Sequence, residues 1–206
     1  MQQNETAVSP EKLRQILDDR ERRQAAQRAL LRDGCALLCL TLNIPGADKR
    51  SALANRAFAA GMTRLDAALA PFQVRLRMVR QTATGPEGYF LVEAPAPLVK
   101  RAAVQAEEDG PLGRVLDADV LDSRGEKISR GALGLAPRRC LLCEKPAFVC
   151  MRGGGHTKRA LFDAAQARMH AALDAADAAH AARLAVRSLV CEVTATPKPG
   201  LVDLRN

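Results

Sequence analysis

The stretch Cys35 to Asn43, CALLCLTLN, constrains the fold of this chain more than any other. It is a near-continuous apolar run of strand length. It lacks the alternation of a strand with one wet face, so it belongs at the centre of a sheet with both faces covered. The rest of the chain must supply that sheet and its cover.

The periodicity downstream does so. IPGADKRS reads as a loop. From Ser51 to Ala70 apolar residues recur at helical spacing through Leu53, Ala57, Phe58, Met62, Leu65 and Leu69, and Pro71 stops the run. QVRLRMVRQ (73–81) alternates, with Val74, Leu76 and Met78 on one face and Gln73, Arg75 and Arg77 on the other. TATGPEG is a turn, YFLVEA (89–94) a further strand, and PLVKRAAVQAEED (97–109) a helix opened by Pro97. GRVLDADVLD (113–122) is the fourth strand, and SRGEKISRGAL reads as a turn and a short return strand. The order strand, helix, strand, strand, helix, strand predicts an α+β fold: a ferredoxin-like split βαβ antiparallel sheet with both helices on one face and the other face free for ligand.

The flanks are helical. Ser9 is placed as an N-cap with Pro10 at the first helical position, and the helix runs to about Arg32. Its DDRERRQAAQR stretch reads as a solvated face. After Pro137 the composition shifts to RRCLLCEKPAFVCMRGGGH, dense in Cys, Arg and Gly. Thr157 to about Val190 has no Gly or Pro and is dominated by alanine, which predicts one long helix or two close ones. The expected organisation is an N-terminal helical segment (1–33), a main domain with a Cys-rich end (34–156), a helical linker (157–187) and the start of something further (188–206).

Of the 206 residues 48% are apolar but only 3% aromatic, so Leu, Val and Ala must fill the core. The net charge of +8 favours acidic or phosphorylated partners. No stretch approaches the ~20 apolar residues of a membrane span, and the N-terminus lacks a signal-peptide core. A cytoplasmic location without membrane contact is the default expectation. The six cysteines are then expected to be reduced, and a cysteine cluster reads as metal site or packing.

Asp117 and Asp119 stand two apart on the fourth strand, so both carboxylates project from one face. Side by side they oppose each other's ionisation, and a divalent cation resolves the conflict. Magnesium takes carboxylate together with phosphate oxygens, and such ions serve displacement at phosphorus. The pair would equally serve if it faced arginines or lay at a wet edge. Arg75, Arg77, Arg80, Arg114 and Arg130 lie on or beside the strands and suit a polyphosphate. LNIPGADKRS runs from a strand through Asn43 into a helix N-terminus, a geometry that can receive anions, with Lys49 and Arg50 adding charge; taken alone it reads first as a plain strand-to-helix connection. Cys140, Cys143, Cys150 and His156 form a Cys3His set, a recognised structural zinc combination. The competing reading has Cys140 and Cys150 packing in a small core while His156 serves a substrate site.

Four blocks occur in one order: LTLNIPGADKRS, TATGPEGYFLVEAP, GPLGRVLDADVLDSRGEKISR and LGLAPRRCLLCEKPAFVCMR ending at His156. In these, from about Glu11 to His156, the chain resembles the citrate lyase holo-acyl-carrier-protein synthase family, the apo-citrate lyase phosphoribosyl-dephospho-CoA transferases. SLVCEVTATPKPGLVDLRN is similar to the opening of triphosphoribosyl-dephospho-CoA synthase, as in a fused bifunctional protein. The resemblance implies transfer of the phosphoribosyl-dephospho-CoA group from triphosphoribosyl-dephospho-CoA to a serine of the citrate lyase acyl carrier (gamma) subunit, with loss of pyrophosphate. Under it Asp117 and Asp119 are expected to be catalytic and to hold magnesium, either one able to take the serine proton. Arg114 and Arg130 would neutralise pyrophosphate, and Asn43, Lys49 and Arg80 would bind the donor. Two rivals stand beside this: a zinc-stabilised basic nucleic-acid-binding module and a non-catalytic scaffold of the citrate lyase assembly. One tyrosine and five phenylalanines offer little for base stacking, which favours a partner set without nucleic acid.

Overall fold

The structure is a computed structural model, and it describes residues 9–45 and 50–194. The chain runs α1 (Pro10–Leu30), β1 (Ala36–Leu42), α2 (Ala52–Ala68), β2 (Gln73–Thr82), β3 (Gly85–Glu93), α3 (Ala96–Glu108), α4 (Gly110–Gly113), β4 (Leu116–Leu121), α5 (Ala147–Gly153) and α6 (Lys158–Thr194). The strands form one sheet in the order β2-β3-β1-β4, every pair antiparallel. The apolar run at 35–43 is central, as its composition requires: β1 pairs with β3 on one side and β4 on the other, and only Thr41 within it is not buried. The split βαβ expectation holds.

One sheet face carries Leu38, Leu40, Leu42, Phe90, Val92, Ala118 and Val120 against Phe58, Met62 and Leu65 of α2 and Val99 and Ala103 of α3. Each fully buried aliphatic or aromatic side chain contributes about 1.5–3 kcal/mol by leaving water. Three residues of α6, Ala165, Met169 and Leu173, recur every fourth position; Ala165 and Met169 join this core, and all three are buried. The segment expected as a linker thus begins as part of the domain, packed along α2 and α4. It is one helix, which continues through 188–194; the remainder of the expected second segment, 195–206, lies outside the described residues.

The opposite face is not free. Leu37, Cys39, Tyr89 and Leu121 form a second cluster, and Ala26, Leu30 and Leu31 at the end of α1 pack on it. Arg23, Gln27 and Leu30 share one stripe of α1 by their spacing, and the first two are tied to the sheet below. The DDRERRQAAQR stretch is therefore not simply a solvated face: Asp19 is 4% exposed and Arg23 is half-buried.

The fourth strand is also shorter than its apolar pattern implies. Pro111 opens the single turn α4, the Val115 N–H closes on Leu112 O at 2.9 Å, and β4 starts at Leu116. The return strand is one bridge, Leu121 with Lys127, plus the Ile128 N–H on Val120 O at 2.8 Å. Gly113 makes the tight passage from α3 possible. A Cβ there would sit 2.6 Å from Glu107 O and 2.7 Å from Ala106 O, both backbone atoms that cannot swing away. Gly113→Ala is expected to cost about 1–3 kcal/mol by overpacking, read as a lower urea midpoint with an unchanged m-value.

Among the described residues no helix is long and apolar enough to cross a membrane.

Candidate active site at the carboxylate pair

The register of β4 fixes the pair. Asp117 lies opposite Thr41 and Asp119 opposite Cys39, so both project from the face on which α1 lies. Across the sheet the rows continue with Tyr89 opposite Cys39, Met78 opposite Tyr89, and Arg80 opposite Glu87. The carboxylates are partly exposed, Asp117 46% and Asp119 35%. Lys127 Nζ reaches Asp119 Oδ1 at 2.7 Å, and Arg138 Nη1 stands 3.5 Å from Asp117 Oδ1. Even so, burial and the neighbouring Asp119 push the Asp117 carboxyl above its usual value, against the pull of Arg138. Each carboxylate of the pair thus has one cationic neighbour, the closer contact being that of Lys127 with Asp119.

Side chains replace the missing neighbour strand at the outer edge of β4. The Ala118 N–H donates to Glu107 Oε1 at 2.9 Å, and Lys100 Nζ donates to Ala118 O at 2.7 Å. Arg138 Nη2 donates to Arg114 O at 2.6 Å and to Leu116 O. These contacts leave the edge no open donors around Ala118 and fix the backbone between the two aspartates. Burial holds the Lys100 ammonium below its usual pKa. Lys100 and Glu107 are seven apart on α3, so two turns of one helix face supply both contacts.

Asp117 lines one cavity, and a second lies beyond Arg138. The first, of about 130 Å³, is lined by Arg23, Thr41, Asn43, Thr84, Pro86 and Asp117. Arg23 is held in its wall by Glu87, which is 2% exposed and accepts from Arg23 Nε at 2.6 Å and from Tyr89 Oη at 2.6 Å. The second, of about 320 Å³, is lined by Arg114, Arg130, Arg138 and Arg139 with Glu107 and Glu108. Arg138 belongs to its wall and touches Asp117, so it links the two spaces.

Of the residues expected at the site, Asn43 and Asp117 line one cavity, and Asp119 projects beside Asp117 from the same strand face. Arg114 and Arg130 line the neighbouring cavity and are partly engaged: Arg130 binds Glu107 Oε2 and Glu108 Oε1, each at 2.7 Å, and Arg114 donates to the carbonyls of Arg139 and Cys140. Arg80 shares the sheet face but sits on β2, at the far side of β3 and β1. Lys49 lies outside the described residues. Arg75 and Arg77 do not serve this site: Arg75 pairs with Glu93 at 2.7 Å, and Arg77 pairs with Asp66 at 2.9 Å and lies over the Phe90 ring. Sequence reasoning missed Arg23, Glu87, Lys100, Glu107, Lys127 and Arg138. Only the buried pair Glu87 and Tyr89, alternating in GPEGYF, carried a period-two sign of a shared face.

Cys140, Cys143, Cys150 and His156 also converge, with one ligand atom from each lying within 4.8 Å of the others. The sulfur contact between Cys150 and Cys143, together with slight burial, pushes the Cys150 thiol up to about 11. Cys140 is drawn below its usual value despite burial, because backbone N–H groups of Leu142 and Cys143 face its sulfur. Crowded sulfurs of this kind cannot all ionise unless a cation joins them.

The fold is of the ferredoxin-like α+β class, with a carboxylate pair on one face of its sheet and an arginine-lined cavity beside it. The sequence model of one family, apo-citrate lyase phosphoribosyl-dephospho-CoA transferase, matches residues 11–172. A protein of that name from Citrobacter koseri is 42% identical over 169 residues, 81% of this chain and 90% of its own length. Namesakes from Escherichia coli and Shigella boydii are each 40% identical over 167 residues, 80% of this chain and 89% of their own. The chain belongs to the apo-citrate lyase phosphoribosyl-dephospho-CoA transferase family. The match continues into α6, in keeping with the packing of that helix on α2.

Proposed function

We propose that this protein attaches the phosphoribosyl-dephospho-CoA prosthetic group to citrate lyase. The donor is triphosphoribosyl-dephospho-CoA and the acceptor is a serine hydroxyl of the acyl carrier (gamma) subunit. Family membership supports the reading. The observation that carries it in this chain is the Asp117/Asp119 pair, two carboxylates on one strand face, with Asp117 lining a cavity that Asn43 also lines.

In the transfer, serine Oγ forms a bond to the α-phosphorus, the bond to the bridging oxygen of pyrophosphate breaks, and the serine proton passes to a carboxylate of the pair. Two carboxylates projecting from one strand face, with no third acid among the described residues completing a cage, suit a hard cation that keeps positions for phosphate oxygens. Magnesium bound there would supply charge neutralisation on the triphosphate. Glu107 and Lys100 hold Ala118, and with it the spacing of the two aspartates. Arg23 is fixed by Glu87 at the cavity wall, and the Asn43 side chain is exposed there to meet the donor. Arg138, Arg114 and Arg130 line the next cavity, where departing pyrophosphate would meet donors already in place.

Mass spectrometry of the apo carrier subunit after incubation with the full chain, magnesium and donor tests the reading. A gain of one prosthetic group, with pyrophosphate released in equal amount and nothing gained when EDTA is present, is the expected result. An unmodified carrier at equimolar protein overturns it.

A further inference from the structure

The segment 138–156 has almost no core of its own. Cys140 and Leu141 are buried, yet Leu142, Phe148, Val149 and Met151 are exposed. A piece this small holds a single shape only with a crosslink or with anchors elsewhere. Its base is a hairpin: the Cys140 N–H meets Lys145 O and the Ala147 N–H meets Arg138 O, both at 2.8 Å. Cys140 and Cys143 lie at the hairpin tip. Helix α5 then ends at Gly153, Gly154 takes a left-handed conformation with φ of 58°, and the Gly155 N–H closes on Cys150 O at 3.2 Å. That glycine turn returns the chain over the tip and delivers His156.

The result is a four-cornered cage. His156 Nε2 is 3.3 Å from Cys143 Sγ, and Cys143 Sγ is 3.5 Å from Cys150 Sγ. A tetrahedral zinc with its usual sulfur and nitrogen bond lengths sets edges of about 3.6–3.8 Å. The Leu142 N–H points at Cys140 Sγ at 3.5 Å, the contact that stabilises a thiolate within a C-x2-C turn. Apolar packing does not account for this convergence, because Cys143, Cys150 and His156 are only half-buried and their apolar neighbours face solvent.

We propose that Cys140, Cys143, Cys150 and His156 bind one zinc ion, and that this crosslink holds the hairpin so that Arg138 stays clamped on β4 beside Asp117. Binding releases the thiol protons to solvent. The hairpin meets the sheet through Arg138 on the Arg114 and Leu116 carbonyls, through Arg114 on the Arg139 and Cys140 carbonyls, and through Arg168 on Leu141 O at 2.8 Å. A rigid tip keeps those contacts in register. The zinc site does not depend on the transfer reaction, since its readout is metal content.

The test uses the full chain purified under reducing conditions without chelator. Elemental analysis should find about one zinc per chain, and cobalt substitution should give the intense visible bands and thiolate charge transfer of a tetrahedral sulfur site. Cys143→Ser should weaken zinc binding by at least about 100-fold, beyond the loss expected for an outer-shell partner, while Cys35→Ser keeps it. Removing zinc from the wild-type protein should speed hydrogen exchange across 138–156 and leave the amides of β1 protected, a measurement that needs no variant to fold. A chain with a protected sheet that holds no zinc and takes up no cobalt overturns the proposal. So does a Cys143–Cys150 disulfide as the resting form in the reduced preparation.

Discussion

Asp117→Asn is expected to transfer the prosthetic group at least about a thousandfold more slowly than the wild-type protein, and yet to be no less stable at neutral pH. The first half follows from removing one oxygen ligand and half of the local negative charge, when charge stabilisation of this kind is worth several kcal/mol and each 1.36 kcal/mol is tenfold in rate. The second half follows from the raised pKa. Burial, helped by Asp119, disfavours the Asp117 carboxylate in the folded protein. The folded state therefore holds this proton more tightly than the unfolded chain, whose value is about 3.9. Stability contributed by the group falls as pH rises from that unfolded value through the raised folded one, and the penalty is complete above it. An amide carries no such penalty, so the variant gains on wild type across that window and the two converge below it. Urea unfolding at acid and neutral pH, without divalent ions, reads this difference. Magnesium should raise the wild-type midpoint more than the variant's, because a cation held between the two carboxylates would bind only the folded state. A variant transferring at the wild-type rate removes Asp117 from the mechanism. A variant less stable at neutral pH means that attraction to Arg138 outweighs repulsion from Asp119.

The sequence made β1 legible because burial on both faces demands an unbroken apolar run, and CALLCLTLN is one. It made the aspartate pair legible because a period of two puts Asp117 and Asp119 on one face whatever the tertiary surroundings. What it hid were the contacts made across long separations. Arg23 and Glu87 are 64 positions apart and meet only because α1 folds back over the sheet. Nothing in the charged stretch DDRERRQAAQR distinguishes the half-buried Arg23 from the arginines in water. Glu107 and Lys100 sit on a helix whose pattern reads as ordinary amphipathic, since a long polar side chain reaching a strand edge leaves no mark on periodicity. The start of β4 was overrun because Gly113 to Val115 is apolar enough for a strand, while Pro111 and the close approach at Gly113 demand a turn of helix. The Cys3His spacing showed candidate ligands, but their convergence needed the turn at Gly154, which reads in sequence only as a loop.

Glu107→Ala is expected to destabilise the protein by about 3–5 kcal/mol, a large share of the 5–15 kcal/mol that holds a typical domain together. Glu107 is 4% exposed and each of its oxygens is in use, one by the Ala118 N–H and the other by Arg130 Nη2. Truncation leaves a buried N–H without an acceptor at the edge of the sheet. It also leaves Arg130, itself 14% exposed, facing Lys100 and Arg138 without its main counter-charge. On a chain of this size the loss corresponds to a fall in Tm of roughly 6–20 °C. Glu108→Ala supplies the control: Glu108 binds the other arm of the same Arg130 guanidinium but is 64% exposed, so its loss should cost within about 1 kcal/mol. Glu107→Gln separates the two parts of the effect. The amide oxygen can still accept from Ala118, so the variant should fold with the aspartate spacing kept while Arg130 loses its charge partner. Its stability should fall between wild type and Glu107→Ala, and its transfer rate should exceed that of Asp117→Asn. Equal melting of Glu107→Ala and Glu108→Ala would mean that the two acids are interchangeable partners of Arg130, and that the N–H of Ala118 finds another acceptor when Glu107 is gone.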